Sequence, residues 1–162
     1  MKQRFHIRVT KDYLVFCSGH FITYDGDQCE HLHGHNYRTA IEVGGELDEN
    51  WYVFDFVTLK RLGRQVTDEL DHRMLLPTKN PHITLEEAGR GIRVRFQDRE
   101  WVFPREDCVL LPIENTTAEL LGKWLAGRLL EELRSKYDFE PQFLRVEVEE
   151  SFGQSATYEW IR

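Results

Sequence analysis

The sequence predicts an α+β domain: two helices on one face of an antiparallel four-stranded sheet, with a β-hairpin inserted between the helices. Three observations carry this reading. Apolar and charged residues alternate with period two near both ends of the chain. Two segments between those ends carry apolar residues at helical spacing. A further alternating stretch, bounded by turn residues, falls between the two helical segments.

Phe5, Ile7 and Val9 alternate with His6 and Arg8, the period of a half-buried strand. The pattern resumes at Leu14–Cys17 and ends near Ser18-Gly19-His20. Asp25-Gly26-Asp27 marks a turn within the polar loop from Tyr24 to Gln28. A second strand is expected from about His33 to Val43, stopping at Gly44-Gly45. Asp55 can cap a helix bearing Leu59, Leu62, Val66 and Leu70 on one face and ending around Asp71-His72.

Ile92, Val94 and Phe96 alternate with arginines, Asp98-Arg99 turns, and Glu100–Phe103 returns. This hairpin lies in an insertion at about residues 80–112, where a minimal fold needs only a loop. Asn115-Thr116-Thr117-Ala118-Glu119 reads as a capping box from Thr116 to Glu119. It opens a long helix with Leu121, Trp124, Leu125, Leu129, Leu133 and Tyr137 as its buried stripe. Leu144, Val146 and Val148 then alternate with Arg145, Glu147 and Glu149, and a last short strand covers Ala156–Trp160.

The chain of 162 residues is long enough for one domain, 1–162, with a core of its own. A net charge of −7 argues against a nucleic-acid-binding surface, and no apolar stretch has the length of a membrane span. The stretch from Met1 to Val9 holds no apolar leader segment. Three cysteines at uneven spacing do not make a disulfide framework; free thiols suit a reducing compartment, so a cytoplasmic location is expected. The uncovered face and edges of so small a sheet lead us to expect a homo-oligomer.

The run Cys29-Glu30-His31-Leu32-His33-Gly34-His35-Asn36 carries the strongest chemical signal. On an extended strand, positions 29, 31, 33 and 35 share one face, and thiolate and neutral imidazole are the ligands that Zn²⁺ prefers. A catalytic zinc keeps three protein ligands and one open position. His33 and His35 supply a His-x-His pair, His20 at the end of the preceding strand is the natural third ligand, and His31 has the parity to compete. Gly34 would let a ligand or metal approach the backbone. Cys29 is either a fourth ligand or a free thiol whose pKa a nearby cation depresses; spacing alone leaves both open.

Asp71-His72 is a candidate orienter and proton carrier, since a carboxylate beside an imidazole fixes its tautomer and raises its basicity. Glu150 shares the parity of Leu144, Val146 and Val148. A carboxylate on an apolar face needs a partner unless the strand bulges at Glu149 and frees it. A ligand with adjacent N–H donors, such as a 2-amino-4-oxo pterin, would provide one.

Phe16-Cys17-Ser18-Gly19-His20, Cys29-x-x-x-His33-Gly34-His35-Asn36-Tyr37, Phe54-Asp55-Phe56, Leu70-Asp71-His72, Asn115–Glu119 and Glu150-Ser151 together resemble the 6-pyruvoyl-tetrahydropterin synthase and 6-carboxy-tetrahydropterin synthase family. The resemblance runs from about Phe16 to Trp160, the insertion excepted. It implies the tunnelling fold, ring-shaped oligomers, usually hexamers, and sites at subunit interfaces. It further implies zinc on His20, His33 and His35, Cys29 as catalytic base, Asp71 and His72 as proton-transfer partners, and Glu150 as the pterin anchor. His31 then becomes a bystander.

The implied substrate is a small molecule, 7,8-dihydroneopterin triphosphate. The implied product is 6-carboxy-tetrahydropterin, on the way to queuosine and other 7-deazapurines, or alternatively the 6-pyruvoyl compound. A variant class that cleaves dihydroneopterin by an aldolase route has glutamate in place of the cysteine, so Cys29 disfavours it. Thr116, where the family has proline, and Ser151, where it has threonine, are departures. A zinc hydrolase or lyase on another substrate, or a module with structural zinc, are the remaining readings. Lys79 and Arg73 are among the cations available to a triphosphate.

Overall fold

The structure, a computed structural model, describes residues 4–162, the side chains at positions 11 and 12 excepted. Met1–Gln3, part of the stretch read as lacking a leader segment, lie outside the described residues. In chain order the strands and helices are β1 (Phe5–His20), β2 (Thr23–Tyr24), β3 (Gln28–Cys29), β4 (His33–Gly45), α1 (Phe56–Asp68), β5 (Arg73–Pro77), β6 (Thr84–Ala88), β7 (Gly91–Phe96), β8 (Arg99–Pro104), β9 (Cys108–Leu111), α2 (Ala118–Tyr137), β10 (Phe143–Ser151) and β11 (Gln154–Ile161).

The main sheet has six strands in the order β11-β10-β4-β1-β5-β9. Its first four are the antiparallel strands expected from the alternating segments. The expected count of four was too low, and the sheet is mixed: β5 and β9 add in parallel beside β1. Both are short runs buried throughout much of their length, so they carry no alternation to reveal them. The insertion holds more than a hairpin. β7 and β8 pair as expected, and β6 adds a third strand to them.

β1 reads as two alternating patterns because its register shifts between Thr10 and Val15. There five steps along β1 (Thr10 to Val15) match two along β4 (Ala40 to Arg38), which inserts three extra residues. An odd insertion flips the side-chain parity: Val9 faces inward before it, and Leu14, Phe16, Ser18 and His20 face inward after it. His20 owes its direction to this irregularity.

Both helices pack on one sheet face around a single core. Asp55 caps α1, its carboxylate accepting from Thr58 N at 2.7 Å. Leu59, Leu62, Val66 and Leu70 are all buried, each burial favouring the fold by roughly 1.5–3 kcal/mol. The helix ends at Asp68, short of Asp71-His72, because the chain turns at Glu69–Asp71 to enter β5. Gly63 brings α1 down onto the sheet; a Cβ there would sit 2.6 Å from Ile41 Cδ1.

The cap of α2 is Thr117, not Thr116. Thr116 is fully buried and its hydroxyl is spent elsewhere, donating to Phe21 O at 3.2 Å. Leu121, Leu125, Leu129 and Leu133 form the buried stripe as expected, joined by Ala126 and Leu130, whereas Tyr137 at its end is exposed. A second apolar cluster, centred on Phe21, Met74, Ile92, Val94 and Phe96, fastens the inserted sheet to the end of β1. No helix among the described residues is long and apolar enough to cross a membrane.

Candidate metal centre

β1 pairs with β4 so that His20 lies opposite His33. His33, His35 and Tyr37 share one face of β4, and the parity flip in β1 turns His20 toward the same side. The result is a cluster in which one ring nitrogen from each of His20, His33 and His35 lies within 4.8 Å of the others. The two glycines in register here, Gly19 and Gly34, bring the strands close. A Cβ on Gly34 would lie 3.0 Å from Ser18 O. Gly34 therefore serves the approach of strand to strand.

The tautomers follow from the acceptors. His20 Nδ1 lies 3.0 Å from Thr116 O, and His33 Nδ1 lies 2.7 Å from His31 O. A carbonyl only accepts, so each Nδ1 carries the proton and each neutral ring offers the lone pair of Nε2. The Nε2 atoms of His20 and His35 are buried with no hydrogen-bond partner among the described residues. Burial, with the neighbouring His33 and His35 adding to it, lowers the His20 pKa to about 4 against the opposing Thr116 hydrogen bond. Imidazole nitrogens converging in this way, two of them buried without a hydrogen bond among the described residues, suit a divalent metal.

The strand read from Cys29 through His35 is broken. Cys29 belongs to β3, β4 begins at His33, and residues 30–32 lie outside both. Strict alternation therefore does not govern Cys29 or His31; His31 contributes its carbonyl to His33 and leaves its side chain exposed. Cys29 is half-buried, its thiol within 3.5 Å of Glu30 O. Burial pushes the thiol above its ordinary pKa, the Arg99 charge opposes this, and Glu30 reinforces it. Protein groups alone thus favour the neutral thiol.

Glu30 is a residue that the sequence reading passed over. Its carboxylate lies 3.8 Å from His33 Nε2 and 3.3 Å from Ile22 N. Its signal was adjacency to Cys29, masked by the assumption of a continuous strand that would send it to the far face. Tyr37 was quoted only as part of a motif, yet its buried hydroxyl has no partner among the described residues and its ring stands edge-on to His20 and His35.

Glu150 also reaches the cluster. β10 bulges between Glu149 and Ser151, but the carboxylate is not released to solvent: Oε1 stands 3.4 Å from His35 Nε2, in a geometry that makes no hydrogen bond. Asp71 and His72 do not join it within one chain. Asp71 Oδ1 accepts from Cys17 N at 2.8 Å, and His72 N donates to Cys17 O at 2.7 Å. Cys17 precedes His20 by three residues, roughly 10 Å at strand rise. The His72 ring is 83% exposed, 3.0 Å from Asp71 Oδ2, on a residue with φ of 55°. Burial opposes ionisation of Asp71, but the Cys17 amide and His72 hold its carboxyl below the ordinary carboxylate range. A cavity of about 710 Å³ lies at the opposite end of β4, around Gly45, Asp55 and Phe139, and is no part of this cluster.

Comparison with known proteins gives concordant matches. A family model described as 6-pyruvoyl tetrahydropterin synthase matches residues 8–160. A Methanocaldococcus jannaschii protein with a provisional 6-carboxy-5,6,7,8-tetrahydropterin synthase name is 32% identical over 146 residues, 90% of this chain and 89% of that protein. A Pyrococcus furiosus dihydroneopterin monophosphate aldolase is 43% identical over 49 residues, 30% of this chain and 42% of that protein. The crystal structure of Plasmodium vivax 6-pyruvoyl tetrahydropterin synthase superposes with a TM-score of 0.91 at 31% identity, covering 99% of this chain and 100% of that one. A variant of the same P. vivax enzyme, described as altered from glutamate to alanine at a catalytic residue, superposes at 0.92.

Proposed function

The chain belongs to the 6-pyruvoyl tetrahydropterin synthase family, and from that membership we propose that it is a zinc enzyme of the 6-carboxy-5,6,7,8-tetrahydropterin type. Its substrate is 7,8-dihydroneopterin triphosphate; water is taken up, and triphosphate and acetaldehyde leave. The observation that carries the reading is the convergence of three imidazoles, two of them held as the Nδ1–H tautomer by carbonyls. His20, His33 and His35 would hold the zinc. When bound, it would act as a Lewis acid toward the hydroxyl oxygens of the pterin side chain.

Cys29 takes a proton from the side-chain carbon once its thiol is ionised, which burial opposes and Arg99 assists. Glu150 accepts the adjacent N–H donors of the pterin ring, bidentate and charge-assisted. Asp71 orients the His72 ring, so that His72 returns a proton to the substrate. Because the pair is bonded to Cys17, three residues along β1 from His20, and not to the cluster, it serves a neighbouring copy, and the working form is a homo-oligomer, a hexamer by family resemblance. This ring would be cytoplasmic, with no nucleic acid or membrane as partner.

Glu30 favours a second reading, carbon–carbon cleavage of a dihydroneopterin in the manner of an aldolase. Its carboxylate lies 3.8 Å from His33 Nε2, so Glu30 would act as a base toward a side-chain hydroxyl bound beside the cluster. The presence of Cys29, which argued against that class, does not remove this second base.

The test is anaerobic incubation of zinc-loaded protein with 7,8-dihydroneopterin and with its triphosphate, products being identified by mass spectrometry. Carboxy-tetrahydropterin with acetaldehyde supports the first reading, and a pyruvoyl product moves the chain to the other branch of the family. Cleavage of unphosphorylated dihydroneopterin, lost in Glu30→Gln and kept in Cys29→Ala, supports the second. Untouched pterins overturn both.

A further inference from the structure

The inserted sheet reaches the candidate site through one face of β8. Arg99, Trp101 and Phe103 alternate with the exposed Glu100, Val102 and Pro104, so the first three share a side. That side, with Gln97 just before it, meets residues 21–30 at three points. Gln97 Nε2 donates to Asp27 O at 3.0 Å. Arg99 donates from Nη1 to Cys29 O at 2.9 Å and from Nη2 to Glu30 O at 3.1 Å. Trp101 stacks on Phe21, the residue after His20, with centroids 4.6 Å apart and planes 18° from parallel.

The Arg99 guanidinium also lies over the Trp101 ring, 4.7 Å from its centroid. Stacking on that ring orients the fork before it meets the carbonyls. Successive carbonyls of an extended strand point in opposite directions, so one guanidinium cannot serve both. By taking the carbonyls of Cys29 and Glu30 together, Arg99 holds this segment out of strand geometry. That is why the strand read through Cys29 breaks before His33.

We propose that Arg99 is a positioning residue: its two-carbonyl fork, braced by Trp101, fixes how the Cys29 thiol and the Glu30 carboxylate face the histidine cluster. The inserted sheet is then a support for the reactive segment rather than a peripheral ornament. The inference rests on the family reading for the roles of Cys29 and Glu30, but the geometry of the clamp does not. Arg99 also sets its charge against the burial and the Glu30 carboxylate that oppose thiol ionisation.

Arg99→Met and Arg99→Lys test this in the full-length protein, with bound zinc per chain measured for each. Alkylation of Cys29 by iodoacetamide is followed by peptide mass spectrometry from neutral to alkaline pH, exposed Cys17 serving as the internal reference. In Arg99→Met, Cys29 alkylation near neutral pH is expected to fall roughly tenfold relative to Cys17. The kcat falls roughly 10- to 100-fold while KM and bound zinc stay near wild type. Arg99→Lys keeps the charge but cannot span two carbonyls, so its alkylation profile recovers and its kcat does not.

Wild-type kcat and alkylation in both variants would overturn the proposal. So would a loss of activity that simply follows loss of zinc. If Arg99→Met does not fold, an unchanged kcat in Arg99→Lys overturns it alone. Should the wild-type protein turn over no pterin, the functional reading fails, while the alkylation of Cys29 still decides whether Arg99 governs that segment.

Discussion

His20 Nδ1 lies 3.0 Å from the carbonyl oxygen of Thr116, a hydrogen bond between the end of β1 and the residue before the cap of α2, 96 positions apart in sequence. The Thr116 hydroxyl stands 3.2 Å from the same nitrogen. Thr116→Ala keeps the carbonyl, so the His20 tautomer is retained. We expect a loss of about 1 kcal/mol of stability, read by thermal unfolding, with metal affinity reduced less than tenfold. His20→Ala is expected to abolish tight metal binding in the same titration.

The lowered pKa of His20 makes the metal-free protein acid-sensitive. The unfolded chain binds a proton at His20 below pH about 6.5, while the folded protein resists until about 4. Stability therefore rises with pH across that window and falls as the solution is acidified, by roughly 3 kcal/mol for this group. Urea unfolding in the presence of chelator should show this slope, and His20→Gln should flatten it.

Asp71 and His72 provide a test of the proposed oligomeric site. Cys29→Ala and His72→Ala should each lose activity by roughly 10²-fold or more as pure proteins. Unfolded, mixed in equal amounts and refolded together, they should recover about a quarter of wild-type activity, the share of interfaces that randomly unite two intact halves. No recovery would mean that the two residues serve the same chain. His72 also holds a φ of 55°, so His72→Gly should leave stability unchanged or raise it by up to about 1 kcal/mol.

Gly34 sits between two of the three clustered histidines. A Cβ there would approach Ser18 O to 3.0 Å, and the backbone of Ser18 and Gly19 leaves little room to yield. Gly34→Ala should cost roughly 1–3 kcal/mol and weaken metal binding by pushing His33 and His35 away from His20. Calorimetric metal titration beside thermal unfolding separates the two effects.

Local patterns made much of this protein legible. Alternation located β4, β10 and the β7–β8 pair, helical spacing and Asp55 located α1, and His33-Gly34-His35 with His20 named the three imidazoles that converge. These signals lie within a few residues of one another, where backbone period and side-chain chemistry dictate the outcome. The cap of α2 was missed by one residue because the Thr116 hydroxyl is claimed by Phe21 and His20, which no local pattern reveals.

What only the tertiary structure decided depends on contacts between distant segments. The three extra residues in β1 that turn His20 inward are defined only against β4. The parallel strands β5 and β9 are apolar runs without period, assigned by the neighbours they pair with. The break between Cys29 and His33 is held by Arg99, 69 residues beyond Glu30, and brings Glu30 to the histidines. The sequence alone named the histidines that gather at the site, because residue type and spacing are local properties. Which side chains face one another across it was decided by register, bulges and long-range hydrogen bonds, whose energies exist only once the chain has folded.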